Sequence, residues 1–112
     1  MPAELFLPAR RAPTHPGEML ALEFLEPLRI TQSDFADRIG ISRGNLNTFL
    51  RGRRSLSPEM AKRLERALGV SAEFWMRLQA TWDVWHVEHD RELAKEFAKI
   101  KPLRRNIAPL AV

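Results

Sequence analysis

The chain has 112 residues, of which 45% are hydrophobic and 29% charged. That length and composition suit one folded domain rather than a disordered segment or a pair of domains. Cysteine is absent, which excludes disulfides, thiolate zinc sites and cysteine nucleophiles and fits a reducing compartment. The sequence has no apolar run near the roughly 20 residues of a membrane-spanning helix, and residues 1–8 are too proline-rich for a secretory signal. We therefore expect a cytoplasmic protein without a membrane partner.

The net charge of +4 is unevenly distributed along the chain. Residues 38–66 carry eight basic side chains against two acidic ones, a net charge of +6. Residues 1–37 and 67–90 each have a net charge of −3. A basic middle between acidic flanks indicates an anionic ligand, with nucleic acid as the first candidate. A well-solvated arginine-rich helix would have the same composition, so charge alone leaves both interpretations open.

Helix signals follow one another along residues 15–90, whereas strand signals are nearly absent. A first helix is predicted to begin at Pro16, a first-turn proline with an acid behind it, and to end at Pro27. A short second helix has Thr31 as its N-cap and Gly40 as its left-handed exit.

Three further helices are predicted after this pair, each beginning behind a serine N-cap. These caps are Ser42, Ser57 and Ser71. Gly52 and Gly69 are predicted to end the third and fourth helices. The prediction is an all-α, five-helix domain whose core residues recur at helical spacing. They are Met19, Leu20, Phe24, Leu25, Phe35, Ala36, Ile39, Leu46, Phe49, Met60, Ala61, Leu64, Leu68, Trp75 and Leu78.

The segments outside this domain carry weaker signals. Residues 1–14 contain several prolines and no apolar period, which predicts a flexible N-terminal arm. Residues 91–112 are predicted to form a basic C-terminal helix and tail. Leu93, Phe97 and Ile100 are spaced as on one face of a helix over residues 91–101, and Pro102 would end that helix.

The second and third predicted helices are separated by only a few residues, which is the geometry of a helix-turn-helix. The second helix of such a pair enters the major groove of DNA, with its N-terminal residues facing the bases. Here it covers residues 42–51, with Leu46 and Phe49 facing the core. The candidate base-reading residues on its outer face are Arg43, Gly44, Asn47 and Thr48. The candidate phosphate contacts are Gln32, Ser42, Asn45, Arg51, Arg53 and Arg54.

These motifs resemble a known family. The helix-turn-helix is similar to that of phage-repressor-like (XRE/Cro type) regulators in the run Ile30-Thr31-Gln32, Ala36, Ile39-Gly40-Ile41-Ser42, Leu46, Phe49 and Gly52-Arg53-Arg54. The flanks are similar to HigA-type antitoxins in His15-Pro16-Gly17-Glu18-Met19-Leu20, Glu23-Phe24-Leu25-Glu26-Pro27-Leu28, Leu56-Ser57-Pro58-Glu59-Met60-Ala61, Arg63-Leu64, Trp75, Leu78-Gln79 and Trp82-Asp83. Arg29 departs from the family, which usually has glycine in the turn before the second helix.

The resemblance covers about residues 15–90 and implies a five-helix DNA-binding domain that forms a homodimer. It implies binding to double-stranded operator DNA in the protein's own promoter, and neutralisation of a cognate HigB/RelE-like toxin, a ribosome-dependent mRNA interferase. Trp82 and Trp85 are the candidate dimer interface, because four large side chains on one helix stripe exceed what a small bundle covers from within and tryptophan is enriched at interfaces.

Two other functions fit the same residues. One is a stand-alone phage-repressor-like transcriptional regulator with no toxin partner. The other is a protein-interaction module whose basic face meets an acidic partner. An enzyme is not predicted, since nucleophile and phosphate-loop motifs are missing. No cofactor or metal is predicted either, because His86 and His89 lack further ligands, and His15 is expected to cap or pack at a helix start.

Overall fold

Six helices are found in a computed structural model that describes residues 12–103. We number them α1 to α6. The first, α1, covers residues 16–28 in three consecutive segments, Pro16–Leu20, Ala21–Leu25 and Glu26–Leu28. The others are α2 (Gln32–Ile39), α3 (Arg43–Leu50), α4 (Pro58–Leu68), α5 (Ala72–Glu88) and α6 (Arg91–Phe97). The predicted all-α class is confirmed, and no strand occurs within residues 12–103.

Most of the predicted N-terminal arm and most of the predicted tail, residues 1–11 and 104–112, lie outside the described residues.

The predicted helix boundaries between α2 and α5 are confirmed by their capping hydrogen bonds. Each N-cap hydroxyl accepts a bond of 3.0–3.1 Å from the backbone N–H three residues later, which satisfies a donor that the helix leaves free. The N-caps are Thr31, Ser42, Ser57 and Ser71. The left-handed glycines that follow α2, α3 and α4 are Gly40, Gly52 and Gly69.

The prediction that α1 ends at Pro27 is wrong, because the helix continues to Leu28. The middle segment of α1 is π-helical, and the Glu26 N–H donates to the carbonyl of Ala21, five residues earlier. Proline lacks an N–H and its ring clashes with the carbonyl four residues before it in a regular helix. The wider turn ahead of Pro27 changes that spacing, so the ring fits without ending the helix.

The turn after α1 is made by Arg29 in the left-handed conformation, with φ 55° and ψ 42°. It is the one non-glycine residue with positive φ in the described part of the chain. The backbone therefore takes the shape that glycine favours, although a side chain is present. An L-residue pays about 1–2 kcal/mol for this conformation.

The core lies between α1, α2, α3, α4 and the first half of α5. Its buried apolar residues are Leu20, Leu25, Phe35, Ala36, Ile39, Leu46, Phe49, Leu56, Ala61, Leu64 and Trp75. All of them except Leu56 were predicted. The remaining predicted core residues pack at its edge and are half-buried; they are Met19, Phe24, Met60, Leu68 and Leu78.

Leu56 lies in the loop between α3 and α4 and is held there by a buried polar side chain. Its backbone N–H donates to Oε1 of Gln79 at 2.6 Å, and the Gln79 amide nitrogen donates to Asp83 at 2.9 Å. Gln79 is only 4% exposed, so both ends of its amide are paired inside the fold. The glutamine thus fixes the loop that follows α3 onto α5.

The last helix is shorter than predicted, since α6 ends at Phe97 rather than near residue 101. Lys99 and Ile100 donate to carbonyls only three residues back, which closes the helix in a tight turn. Pro102 also disfavours helical backbone at the residue before it. Leu93 is half-buried, whereas Phe97 and Ile100 are 47% and 70% exposed.

The start of α1 lies directly on the end of α3. A Cβ atom added to Gly17 would be 1.9 Å from the carbonyl oxygen of Phe49 and 3.1 Å from the Cα of Leu50. Glycine is therefore required at position 17 by a backbone-to-backbone contact. At Gly44, by contrast, an added Cβ would meet nothing within 4 Å.

We predict that Gly17→Ala lowers the free energy of unfolding by about 3 kcal/mol, the upper end of the usual cost of overpacking, because the backbone of one helix must move. Gly44→Ala is the matched control and should leave stability unchanged or raise it by up to about 1 kcal/mol, as expected for alanine in a helix. Urea unfolding of both variants measures the difference. Equal stability of the two variants would contradict the close contact at Gly17.

Candidate nucleic-acid interface

The helix-turn-helix is formed by α2, a three-residue turn and α3. The N–H groups of Gly40 and Ile41 both donate to the Ala36 carbonyl, at 2.9 and 3.0 Å, which closes the C-terminus of α2. Ser42 then caps α3 by accepting from the Asn45 N–H at 3.0 Å. Leu46 is fully buried and holds α3 against the core. We call α3 the recognition helix.

The four candidate base-reading residues lie on the side of the recognition helix away from the core. Arg43, Gly44 and Thr48 are exposed, and Asn47 is half-buried. The Thr48 hydroxyl donates to the Gly44 carbonyl at 3.0 Å, so it keeps its oxygen lone pairs and its methyl group for a ligand.

Asn47 is paired with a residue of α2, which the sequence did not predict. Its side-chain nitrogen donates to Oε1 of Gln32 at 3.1 Å. Gln32 keeps both N–H donors of its amide for another group, and Asn47 keeps one donor and its oxygen. A candidate base-reading residue and a candidate phosphate contact are therefore joined across the helix-turn-helix.

The remaining candidate phosphate contacts surround the recognition helix. Ser42 and Asn45 are exposed at its N-terminus, and Arg51, Arg53 and Arg54 are exposed at its C-terminus. The backbone N–H of Arg53 donates to the Thr48 carbonyl at 3.1 Å, so the loop folds back on the end of the helix. We call Arg53 and Arg54 the arginine loop.

The basic side chains of residues 38–66 fall into two groups, those that form salt bridges within the fold and those that do not. On α4, Lys62 pairs with Glu65, and Arg63 pairs with Glu59 at 2.9 Å. The hydrogen bond from Lys62 is the main reason that the pKa of Glu65 lies below its ordinary value. Within residues 12–103, the arginines of the recognition helix and of the arginine loop are in no salt bridge. Six basic side chains of residues 38–66 are thus outside these pairs, and four of them lie at the recognition helix and in the arginine loop. The other two, Arg38 on α2 and Arg66 on α4, are exposed as well.

Arg63 has a structural role that the sequence analysis missed. One terminal nitrogen donates to the Ile39 carbonyl at 2.6 Å, at the C-terminus of α2. The Glu59 carboxylate holds the other side of the guanidinium. Cations stabilise the last carbonyls of a helix, so Arg63 ties α4 to the helix-turn-helix. The contact joins residues 24 apart in the chain and leaves no local sequence signal.

Trp82 and Trp85, the candidate dimer residues, are half-buried on α5. Trp82 packs against the buried ring of His15, with ring centroids 5.0 Å apart, and against His86 at 4.1 Å. Trp85 stacks on His89 at 3.8 Å. Both tryptophans therefore have partners within their own chain, and their predicted role in a dimer stays a prediction.

The three histidines lie in two environments. His15 is buried and accepts a hydrogen bond from the Gly17 N–H at 2.9 Å, so its predicted capping and packing role is confirmed. His86 and His89 are exposed. Among residues 12–103, no group of three or more His, Asp or Glu side chains is placed to hold a metal ion. Over the same range, no helix is long and apolar enough to cross a membrane.

A helix-turn-helix with unpaired arginines around its second helix defines a DNA-binding regulator, and comparison with known proteins agrees. The helix-turn-helix family model matches residues 22–75. Antitoxin HigA-1 of Vibrio cholerae is 35% identical over 84% of this chain and 87% of its own length. The uncharacterized HTH-type transcriptional regulator YbaQ of Escherichia coli K12 is 33% identical over 89% of this chain and 88% of its own length.

Solved structures show the same relationship. Antitoxin HigA of Pseudomonas aeruginosa, solved with the higBA promoter, superposes with a TM-score of 0.74 and 34% identity over 82% of this chain and 99% of that one. The chain belongs to the HigA-like family of helix-turn-helix antitoxins and transcription regulators.

Proposed function

We propose that this protein is the antitoxin and autorepressor of a type II toxin–antitoxin operon. It binds operator DNA in its own promoter as a homodimer and neutralises a HigB/RelE-like mRNA interferase. The observation that carries the DNA-binding part is the exposed, unpaired set of arginines at the recognition helix. The Pseudomonas relative solved with its promoter DNA supports the same use of the fold.

We assign direct base contacts to the N-terminal half of the recognition helix. Arg43 is in the first turn, where a long guanidinium can donate to O6 and N7 of a guanine. Asn47 and Thr48 follow one turn later, and the bond from Asn47 to Gln32 fixes the orientation of the Asn47 amide. Gly44 has open space around it in the free protein, so its missing side chain serves close approach to DNA rather than packing.

Phosphate contacts are assigned to the two ends of the recognition helix. At one end, the remaining amide donors of Gln32, the hydroxyl of Ser42 and the amide of Asn45 lie near helix N-termini, which favour anions. At the other end, Arg51, Arg53 and Arg54 supply charge that does not depend on base sequence.

Arg43→Ala should weaken binding to the operator by about 1–3 kcal/mol, because a bidentate base contact is lost. It should weaken binding to a scrambled duplex much less. Arg53→Ala should weaken both duplexes alike and lower the salt dependence of log K by about one unit, the effect of one lost phosphate contact. Titration of each variant on both duplexes at several salt concentrations measures these differences.

Gly44→Ala tests how closely the recognition helix approaches DNA. It changes no charge and should not destabilise the fold. Weaker operator binding by this variant supports the close approach at Gly44. The assignment of the recognition helix is wrong if Arg43→Ala affects the two duplexes equally while Arg53→Ala distinguishes them.

The homodimer is proposed because repressors of this fold read two half-sites about one DNA turn apart, roughly 34 Å. We propose that α5 forms the dimer interface through Trp82 and Trp85. Trp85 is the better probe of the two, because removing Trp82 would also open the contact with His15.

Light scattering should give the mass of a dimer at micromolar concentration for the wild-type protein and of a weaker dimer for Trp85→Ala. The matched control is Val84→Ala, since Val84 is 55% exposed and adjacent side chains on a helix point about 100° apart. A wild-type monomer would rule out the dimer. If Val84→Ala alone dissociated the dimer, the dimer interface would lie on another face of α5.

The proposed toxin contact is the acidic side of α1, together with residues 1–13. Glu18, Glu23 and Glu26 are exposed, and the helix also presents Leu22 and Leu28 at 49% and 57% exposure. An RNase needs a basic face for its substrate, so a surface that blocks this face should be acidic and apolar.

The charge reversal Glu23→Lys/Glu26→Lys should weaken binding to the product of a neighbouring toxin-like gene by about 10-fold or more, mainly through slower association. The control is Glu92→Lys/Glu96→Lys, which makes the same change in charge on α6. Isothermal titration calorimetry compares the two. Loss of binding in the control alone would place the contact on α6. Operator binding with no toxin binding by the wild-type protein would favour the stand-alone regulator.

A further inference from the structure

His15 is a buried histidine at which three helices and the arginine loop meet. It is 3% exposed and caps α1 through Nδ1, which accepts from the Gly17 N–H at 2.9 Å. Its ring packs edge-on against Phe49 of the recognition helix, with centroids 5.7 Å apart, and against Trp82 of α5. The backbone of Arg54 lies close enough to the ring to act on the pKa of His15 as a hydrogen-bond acceptor.

The hydrogen bond from the Gly17 N–H requires the neutral ring. Because Nδ1 accepts from an N–H, the proton of the neutral imidazole is on Nε2, and this proton is the one available to the Arg54 carbonyl. A second proton would have to go on Nδ1, where it would face the Gly17 N–H. The positive charge would also lie at the N-terminus of α1, which disfavours cations.

The charged groups around His15 do not reverse this preference. Burial is the main cause that lowers the pKa of His15. The Arg54 hydrogen bond, Asp83 of α5 and Glu18 of α1 act in the opposite direction, and His86 of α5 adds to the lowering. Asp83 is itself bonded to the Gln79 amide. The net direction is downward, so the native environment favours neutral His15.

The position of His15 gives its protonation state a route to the DNA interface. Two residues later, Gly17 lies against the Phe49 carbonyl at the end of the recognition helix. On the other side, a Cβ atom added to Gly52 would lie 3.5 Å from the His15 ring. The residues after Gly52 are the arginine loop. The ring therefore lies beneath the junction of the recognition helix and the phosphate-binding arginines.

We propose that His15 is a positioning residue of the DNA interface, which holds the recognition helix and the arginine loop in their binding arrangement while its ring is neutral, so that operator binding weakens when the ring takes up a proton. This inference rests on the proposed operator binding. It adds that the affinity for the operator depends on the protonation state of His15, a dependence that operator binding by this fold does not by itself require.

The direction of the pH effect follows from linkage. Folding lowers the pKa of His15 below its unfolded value, so its contribution to stability is complete above about pH 6.5 and is lost as the pH falls toward the folded value. If the DNA-bound form needs neutral His15, affinity falls by up to about tenfold per pH unit for each protomer below that folded value.

The test is a titration of operator DNA at constant ionic strength between pH 7.5 and 5.0. We expect the wild-type protein to lose affinity as the pH falls toward and below the folded pKa of His15, which lies under its ordinary value of 6.5. His15→Asn keeps a side-chain oxygen that can cap α1 but does not titrate. It should bind within about fivefold of wild type at pH 7.5 and show little loss at acidic pH. His15→Ala lacks the cap and should bind more weakly at every pH.

The matched control is His86→Gln/His89→Gln, which leaves His15 as the one histidine of the chain. This variant should keep the acidic loss of affinity. The proposal is overturned if the affinity of the His86→Gln/His89→Gln variant stays constant or rises on acidification, or if His15→Asn retains the loss.

A second measurement uses no DNA, so it tests the positioning role of His15 separately from the proposed operator binding. In the His86→Gln/His89→Gln variant, NMR should show the His15 ring titrating below pH 6.5, with the amide signals of Phe49 and Leu50 shifting at the same midpoint. Unchanged amide signals, or a midpoint at or above 6.5, would overturn the positioning role. Failure of the wild-type protein to bind its upstream DNA at pH 7.5 would instead overturn the proposed operator binding.

Discussion

The contact between Gly17 and Phe49 is the constraint on which the DNA face depends. It brings the backbone of α1 onto the end of the recognition helix, which only a residue without a side chain allows. The same turn places His15 between Phe49 and Trp82, so α1, α3 and α5 meet around one ring. Just before the turn of the helix-turn-helix, Arg63 holds the C-terminus of α2. The eight-residue recognition helix is thereby supported by contacts outside itself, directly at its C-terminal end and through the preceding turn at its N-terminal end.

The basic residues show why net charge alone does not locate a binding surface. Arg63 belongs to the same basic stretch as Arg43 and Arg53, yet its guanidinium is used by a carbonyl and a carboxylate of its own fold. Lys62 is paired as well. Of the six basic side chains of this stretch that are in no salt bridge of the described chain, four lie at the recognition helix and in the arginine loop, and Arg38 and Arg66 are the other two. Under the proposed function, electrostatic attraction would bring DNA to this face, and the side chains along the recognition helix would discriminate bases.

Sequence predicted the helices well where their signals are local. The caps at Thr31, Ser42, Ser57 and Ser71 each form within three residues, so their motifs carry the information directly. Pro27 shows the limit of such a motif, because the π-helical turn that accommodates it is set by the preceding backbone. The bonds from Asn47 to Gln32 and from Leu56 to Gln79 join residues 15 and 23 apart. No periodicity within a helix encodes such pairs, so the positions of the candidate residues were predicted but not their connections.

The bond between Asn47 and Gln32 alters how base reading at this interface should be understood. Asn47 could be treated as an independent reader with two donors and an acceptor, yet one of its donors is already used by Gln32. The Thr48 hydroxyl likewise already donates its hydrogen bond to the Gly44 carbonyl. Arg43 is therefore the candidate base-reading residue whose side chain makes no hydrogen bond or salt bridge within the described part of the chain, and it also carries the charge that makes such bonds strong. In the proposed complex, discrimination should depend chiefly on Arg43, and the Asn47–Gln32 bond would couple the position of α2 on the phosphates to the base contact of Asn47.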